Sequence, residues 1–237
     1  MKRFEKASEL MWVFGIIFVA FGVVLCNKTG LGISMVAAPA FIVSERVPFL
    51  SAGVAEYLIQ GIKLIILCII VRKFNWRYLL TFCVSVIYGY TINLFVWLLG
   101  PVSFTSVGLR FAMLILGDII VAFGVACFFR TYLPLQVCEL FVAEIAAKFK
   151  FDINRVKFAY DYSMLAVSLI LAFTLFGDAG SFDWSTIFYS DFHSIGPNTL
   201  IATLLNAPLI AISGKLIDKI FGASPLFPSL YKTLKRV

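Results

Sequence analysis

Ionisable and amide side chains inside long apolar segments are the residues of this chain that could do chemistry. Glu56, Gln60 and Lys63 interrupt one such segment at positions i, i+4 and i+7, which places them on one face of a helix. Asp118 lies midway through a second segment (LILGDIIVAFG), and Asp161 lies near the start of a third (FAYDYSML). A charge near the bilayer centre costs at least about 2.5–3.5 kcal/mol, so such residues are functional candidates by default.

Other polar residues extend this set. Glu139 follows Gln136 and Cys138 in a short apolar segment, where unwound backbone could meet a ligand. Asn93 and Asn206 could hydrogen-bond a small solute, although contact between helices is the commoner use of such amides. The predicted substrate-binding residues are therefore Glu56, Gln60, Lys63, Asn93, Asp118, Glu139, Asp161 and Asn206.

Structural roles compete with these functional ones. Lys63 and Asp118 could neutralise each other as a buried pair, and Glu56 and Asp161 could be interfacial residues that reach water. Alternatively, Glu56 and Asp161 could mark two ends of one pathway. The sequence has no phosphate-binding glycine loop, HExxH, GxSxG or cluster of His and Cys. We therefore expect no enzyme, no catalytic residue, no metal site and no cofactor.

The elements that position these residues must be membrane helices. The 237-residue chain is 61% hydrophobic and 14% charged, whereas a soluble domain carries about 25% charged residues. Apolar segments such as Met11–Cys26 are long and continuous, without the alternation of barrel strands. Only helices satisfy every backbone group within such a segment. This composition excludes a soluble enzyme, a nucleic-acid-binding module and a disordered chain.

The apolar segments predict an all-α polytopic protein with six transmembrane helices and two short re-entrant segments. The short segments, Leu31–Ser44 and Leu133–Phe149, are too short for a comfortable crossing. Pro39 and the glycines Gly30 and Gly32 weaken the first of them as a continuous helix. The predicted spans are about 10–27, 54–71, 78–99, 107–129, 158–176 and 195–219.

Charge in the loops predicts the orientation. Lys and Arg are concentrated in 72–77, in 148–157 and near both termini, whereas 100–106 is uncharged and 177–194 carries only acids. Excess Lys and Arg mark cytoplasmic loops. Both termini are then cytoplasmic, which requires each short segment to leave and return on one side of the membrane.

An internal repeat divides the chain into 1–104 and 105–237, each with three spans and one re-entrant segment. Phe21-Gly22-Val23 matches Phe123-Gly124-Val125 at a shift of 102 residues, and Lys28-Thr29 matches Arg130-Thr131 at the same shift. Because three crossings are an odd number, the two halves would be inverted-topology repeats. That architecture is typical of transporters with a ligand site near the midplane.

The segment LCNKTGLGISMVAAPAFIVS resembles a motif of bacterial YczE/YyaS/YitT-type membrane proteins, in which a basic residue, Leu-Gly and Ser-Pro follow the first span. Tyr88–Asn93 is similar to the Gly-containing third span of that family, and Asp161 lies where an acid often occurs. The sequence departs from the pattern at Met35, where the family tends to have Pro, and at Leu133-Pro134, where Leu-Gly is expected. The resemblance implies a multi-pass protein of the bacterial inner membrane, proposed as a transporter without an established substrate.

Two main classes of function remain open, with a third option beside them. The first is a secondary transporter or facilitator of a small solute, working by alternating access between the repeats. Several acids around one mid-span base favour proton coupling or a cationic solute, although Lys28 and Arg110 could equally draw an anion. The second is a membrane subunit that binds a solute or partner protein without transporting alone; a lipid-binding or scaffold protein is a third option. The expected partners are the lipid bilayer, a small solute and a second copy or partner subunit, with no nucleic acid.

Overall fold

The computed structural model describes residues 4–6, 8–177, 191–224, 226–227 and 231. Two short segments, β1 (Phe4–Lys6) and β2 (Phe221–Ser224), pair in parallel. Apart from an isolated antiparallel bridge between Phe192 and Ile195, the rest of the described regular secondary structure is helical. The helices are α1 (Ser8–Lys28), α2 (Ala38–Arg46), α3 (Ala52–Val71), α4 (Trp76–Leu98), α5 (Val107–Phe128), α6 (Val137–Phe149), α7 (Ile153–Phe176) and α8 (Pro197–Ile220).

Six of these helices, namely α1, α3, α4, α5, α7 and α8, are long and apolar enough to span a membrane, as predicted. At 1.5 Å per residue, the 20 residues of α3 cover about 30 Å, the thickness of a bilayer core. Their outward faces are apolar: Ile62, Ile65 and Ile69 of α3 are each more than half exposed. The helices α2 and α6, with 9 and 13 residues, reach only about 14 and 20 Å.

The first short segment is only partly helical, because its glycines hold the chain out of a helix. Gly30 and Gly32 have φ values of +59° and +89°, which L residues with a side chain rarely adopt. A Cβ on Gly32 would also lie 2.4 Å from the backbone nitrogen of Gly196. The extended backbone here accepts a hydrogen bond from Asn198 N through Leu31 O, at 3.0 Å. Helix α2 therefore begins only at Ala38, seven residues later than the predicted segment.

This segment leaves and returns at one end of the helix bundle. Lys28, at the end of α1, donates through Nζ to Gly100 O in the loop after α4, at 3.2 Å. Gly53, at the start of α3, donates through its backbone nitrogen to Asn93 Oδ1, late in α4, at 2.8 Å. The end of α1 and the start of α3 therefore lie together, at the end of the bundle that we call the far end.

The second short segment leaves and returns at the opposite end. The Ser8 hydroxyl, at the start of α1, donates to Thr131 Oγ1, just after α5, at 3.3 Å. Lys148, near the end of α6, donates through Nζ to Ile70 O, at the end of α3. Helix α6 thus returns to the end where α5 finished. We call this the basic end because Arg72, Lys73, Arg77, Lys148 and Lys150 lie there.

The bundle is organised around a close crossing of α1 and α5. A Cβ on Gly22 would lie 2.7 Å from Gly117 O, and one on Gly15 would lie 3.2 Å from Gly124 O. Small residues of this kind let membrane helices approach closely. Helix α4 packs on α1 and α8 packs on α5, while the short helices α2 and α6 each pack on both α3 and α7. The four elements α2, α3, α6 and α7 enclose the candidate site.

Candidate functional site: a buried polar cluster between the short helices

The predicted polar face of α3 is buried inside the protein. Glu56, Gln60 and Lys63 are 2%, 0% and 5% exposed, so the spacing of these residues correctly indicated one face. Gln60 donates through Nε2 to Glu56 Oε1 at 2.8 Å. Glu56 is therefore not an interfacial residue that reaches water.

Lys63 lies between the beginning of α2 and helix α7. Its Nζ is 3.5 Å from Val36 O, just before α2, and 5.8 Å from the centroid of the Tyr160 ring on α7. Among the ion pairs of the described residues, none joins Lys63 to Asp118. Because Asp118 instead contacts Cys26 of α1, the alternative of a buried Lys63–Asp118 pair is wrong.

The start of α6 brings a second carboxyl group to this region. Glu139 lies in the first turn of α6, where its Oε2 accepts from Cys138 Sγ at 2.8 Å. Val36, before α2, packs against a hydrophobic cluster that includes Cys138 and Val142 of α6 and Tyr160 of α7. The N-terminus of a helix carries partial positive charge, which favours carboxylates nearby. Lys63 and Glu139 both lie close enough to the Glu56 carboxyl group to interact with it electrostatically.

Helix α7 completes the arrangement. Tyr160 is 5% exposed, and the Lys157 Nζ lies 5.7 Å from the centroid of its ring. Lys157 also forms an ion pair with Asp161, one turn further along α7. The Tyr160 hydroxyl is within electrostatic range of Glu56, Glu139 and Asp161. We call the group Glu56, Gln60, Lys63, Glu139, Tyr160, Lys157 and Asp161 the central cluster.

Three atoms of the central cluster are buried without a hydrogen-bond partner. They are Glu56 Oε2, Gln60 Oε1 and the Tyr160 hydroxyl oxygen. An unsatisfied buried polar group costs about 1–3 kcal/mol, and most such groups in proteins are paired. These atoms therefore mark a place where a ligand or a proton can supply the missing hydrogen bonds.

Asp118 belongs to a separate buried group on α1, α5 and α8. Its Oδ1 accepts a weak hydrogen bond from Cys26 Sγ at 3.6 Å, and Cys26 also lies 3.7 Å from Leu114 O. The fully buried Asn198 side chain lies beside both residues, close enough to influence the two acidic groups. It makes no hydrogen bond of normal geometry within the described part of the chain. This group is smaller and less polar than the central cluster.

The two remaining predicted residues lie elsewhere. Asn93 Oδ1 accepts from the Gly53 backbone nitrogen, one of the orphan donors in the first turn of α3. Asn93 therefore joins two helices, which is the commoner use of such amides. Asn206 is half-buried on α8, about two turns after Asn198. The structure brings together five of the predicted residues, namely Glu56, Gln60, Lys63, Glu139 and Asp161.

Tyr160 was not singled out from the sequence, and its residue type gives little signal. Tyrosine is common at membrane interfaces, and this one lies in an aromatic-rich stretch near the start of α7. Its spacing from Asp161 says nothing about α3, which precedes it by about 90 residues. Asn198 is one of several polar residues of its span, and nothing in the sequence marks it as a neighbour of Asp118.

A pocket of about 440 Å³ opens at the far end. Its lining includes Asn27, Glu45, Asp191 and His193, and His193 Nδ1 lies 2.8 Å from Glu45 Oε1. Burial raises the pKa of the Asp191 carboxyl, and the nearby Glu45 charge acts in the same direction. The acids at 178 and 183, expected in the same loop, lie outside the described residues.

Comparison with known proteins identifies one family. A family of unknown function, DUF6198, matches residues 6–215 of the chain. No curated protein and no solved structure matches it. The resemblance to YczE/YyaS/YitT-type proteins is not tested by these comparisons and stays a prediction.

Proposed function

This chain belongs to the DUF6198 family, whose function is unknown, and we propose that it is a secondary transporter or facilitator of a small solute with the central cluster as its solute site. One observation carries this proposal. Glu56 Oε2 and Gln60 Oε1 are fully buried acceptors without partners, on the helix α3 that packs against both short membrane helices, α2 and α6. Ligand sites of transporters commonly form near the midplane at such broken elements.

The charge of the central cluster favours a cationic solute. The cluster contains three carboxyl groups, those of Glu56, Glu139 and Asp161, and two ammonium groups, those of Lys63 and Lys157. If all five are ionised, the cluster carries one uncompensated negative charge. Glu56 and Lys63 are buried, Glu139 and Asp161 are partly exposed and Lys157 is exposed, and the excess of one negative charge attracts a monovalent cation.

The contacts between α1 and α5 support inverted repeats. The shift of 102 residues pairs Gly15 with Gly117 and Gly22 with Gly124. Gly15 contacts Gly124 closely. If each glycine is replaced by its counterpart in the other repeat, this contact becomes that between Gly117 and Gly22, and these two residues are also in close contact. A reciprocal pattern of this kind is what a two-fold axis produces. The packing of α2 on α7 likewise corresponds to that of α6 on α3.

The proposed orientation places the basic end in the cytoplasm of a bacterial cell. The basic end carries the Lys and Arg of the loops 72–77 and 148–157, and the positive-inside rule assigns such loops to the cytoplasm. The pocket at the far end then faces outward, and the central cluster lies between the two sides. Alternating access would expose the cluster first to one side and then to the other.

Binding tests the proposal first. Thermal unfolding of the purified chain in detergent would be measured with methylammonium, guanidinium and tetramethylammonium, alongside amino acids and organic anions. A ligand at a hundredfold excess over its dissociation constant stabilises the folded state by about 2.7 kcal/mol. We expect a cation to stabilise the chain, with the effect lost in Glu56→Gln and kept in the control Glu45→Gln at the far end. Stabilisation that survives Glu56→Gln would place the site elsewhere.

Flux in liposomes containing only this chain then separates the two classes of function. Uptake of the bound cation, absent for Glu56→Gln and present for Glu45→Gln, supports a transporter. Binding without flux would favour the alternative of a subunit that binds a solute or partner protein without transporting alone.

A further inference from the structure

The pairing of Glu56 with Gln60 is incomplete in a way that points to a proton. Gln60 donates through Nε2 to Glu56 Oε1 at 2.8 Å, which uses one atom of each side chain. The other atoms, Glu56 Oε2 and Gln60 Oε1, are both acceptors and both without a partner. A carboxylic acid and a primary amide form a closed ring of two hydrogen bonds when the acid is protonated. A proton on Oε2 turns that acceptor into a donor, and in such a ring its acceptor is Gln60 Oε1.

We infer that Glu56 holds an exchangeable proton on Oε2, donated to Gln60 Oε1, and that a monovalent organic cation displaces it from the central cluster. The proton part rests on this geometry, and the displacement part rests on the proposed function. Together they make the protein a proton–cation exchanger.

The charges of the groups around Glu56 are balanced when Glu56 carries one proton. The titratable groups that face it are Lys63 on α3, Tyr88 on α4, Cys138 and Glu139 on α6, and Tyr160 on α7, with Asp161 beyond Tyr160. Asp161 is already paired with Lys157. The Lys63 ammonium is shared, since it lies within electrostatic range of Glu56 and no ion pair of the described residues joins it to Glu56 or Glu139, so two carboxyl groups face one remaining positive charge. Protonation of Glu56 makes the cluster neutral.

The exchange step balances in charge and atoms. When the cation enters, the O–H bond at Oε2 breaks, the electron pair stays on the carboxylate, and the proton passes to water on the side that is open. The carboxylate and the cation then neutralise each other. When the cation leaves on the other side, Oε2 takes a proton from water there. One proton therefore moves against each positive charge of the solute.

Infrared spectroscopy of the purified chain tests the proton. A protonated carboxyl group gives a C=O band above the amide region, and labelling with ¹³C-glutamate shifts that band for Glu but not for Asp. We expect a labelled band at neutral pH that disappears in Glu56→Gln and persists in Glu45→Gln and Asp118→Asn. Because Glu56→Gln supplies an N–H donor in place of the O–H, it preserves the ring with Gln60 and should fold. The labelling needs no variant, so absence of a labelled band in the unaltered chain would overturn the inference.

Proton release tests the exchange. Methylammonium, guanidinium and tetramethylammonium would be added to the chain in weakly buffered detergent solution with a pH indicator. We expect about one proton released per cation bound, and an affinity that falls about tenfold per pH unit on the acid side of the Glu56 titration. Cation binding without proton release would overturn the exchange while leaving the solute site intact. A labelled carboxyl band with no cation binding would instead refute the solute site, and with it the exchange.

Discussion

Gly53 and Gly89 bring α3 and α4 into backbone contact, and this contact sets the position of Glu56 one turn further along α3. A Cβ at position 53 would lie 1.8 Å from Gly89 O and 2.7 Å from Asn93 Oδ1. Backbone cannot yield as the end of a side chain can, so the helices would have to separate by about 1.5 Å to restore ordinary contact distances. The substitution Gly53→Ala therefore tests both the packing and the placement of the site.

The expected cost of Gly53→Ala follows from three contributions. Overpacking costs about 1–3 kcal/mol, and loss of the hydrogen bond from Gly53 N to Asn93 Oδ1 costs about 1 kcal/mol more. The higher helix propensity of alanine returns about 1 kcal/mol. We expect the free energy of unfolding to fall by about 1–3 kcal/mol.

The matched control is Gly61→Ala on the same helix. A Cβ there would lie 3.2 Å from Cε2 of the Phe82 ring, a side chain that can shift. We expect this variant to be unchanged or more stable by up to about 1 kcal/mol. Unfolding in mixed micelles would be followed with a thiol-reactive dye in a Cys83→Ser background, since Cys26, Cys127 and Cys138 are buried. A Gly53→Ala variant as stable as Gly61→Ala would refute the close contact.

Three further predictions concern the cap, the far-end pocket and the orientation. Asn93→Ala should lower the free energy of unfolding by about 0.5–2 kcal/mol in the same titration, because α3 loses its cap; lost solute binding at unchanged stability would show a ligand role instead. Burial raises the pKa of Asp191 in the folded state above its ordinary value of 3.8. Ionisation of this carboxyl group therefore lowers the free energy of unfolding as pH rises above 3.8. Asp191→Asn should therefore raise the melting temperature at pH 7, with a gain that vanishes on acidification below about pH 3.8; a gain independent of pH would contradict this reasoning. In a Cys83→Ser background, an impermeant thiol reagent added to whole cells should label Ser103→Cys and not Lys150→Cys, and the reverse pattern would overturn the orientation.

The long helices were predictable because a membrane span needs about twenty apolar residues in a row, and such a run stands out clearly from the loops in hydropathy. The largest error in a span concerns α7, which begins at Ile153 rather than at about 158. Its first turn is polar, so hydropathy does not reveal it, and Asp152 Oδ1 accepts from Arg155 N at 3.2 Å to start the helix. The late start of α2 has a different cause, since the left-handed Gly30 and Gly32 exclude a helix.

Glu139 and Asp161 were named from the sequence as separate candidates, but a shared position with other site residues was predictable only within α3. The spacing of Glu56, Gln60 and Lys63 fixes a common face, because helical periodicity is local. The approach of Glu139 and Tyr160 depends on how α6 and α7 pack against α3, which no local pattern encodes. Asn93 shows a further limit, since an intramembrane amide has the same residue type whether it caps a helix or binds a solute.

The reciprocal glycine contacts between α1 and α5 also bear on how the chain could be assembled. Helix α1 lies in residues 1–104 and helix α5 lies in residues 105–237, and their glycine faces pack against each other. This packing does not depend on the loop that joins the two parts of the chain. The loop 100–106, uncharged and at the far end, is that joint. We expect 1–104 and 105–237, synthesised as separate polypeptides in one membrane, to find each other and rebuild the central cluster. Such a split protein would behave as a heterodimer of two complementary polypeptides.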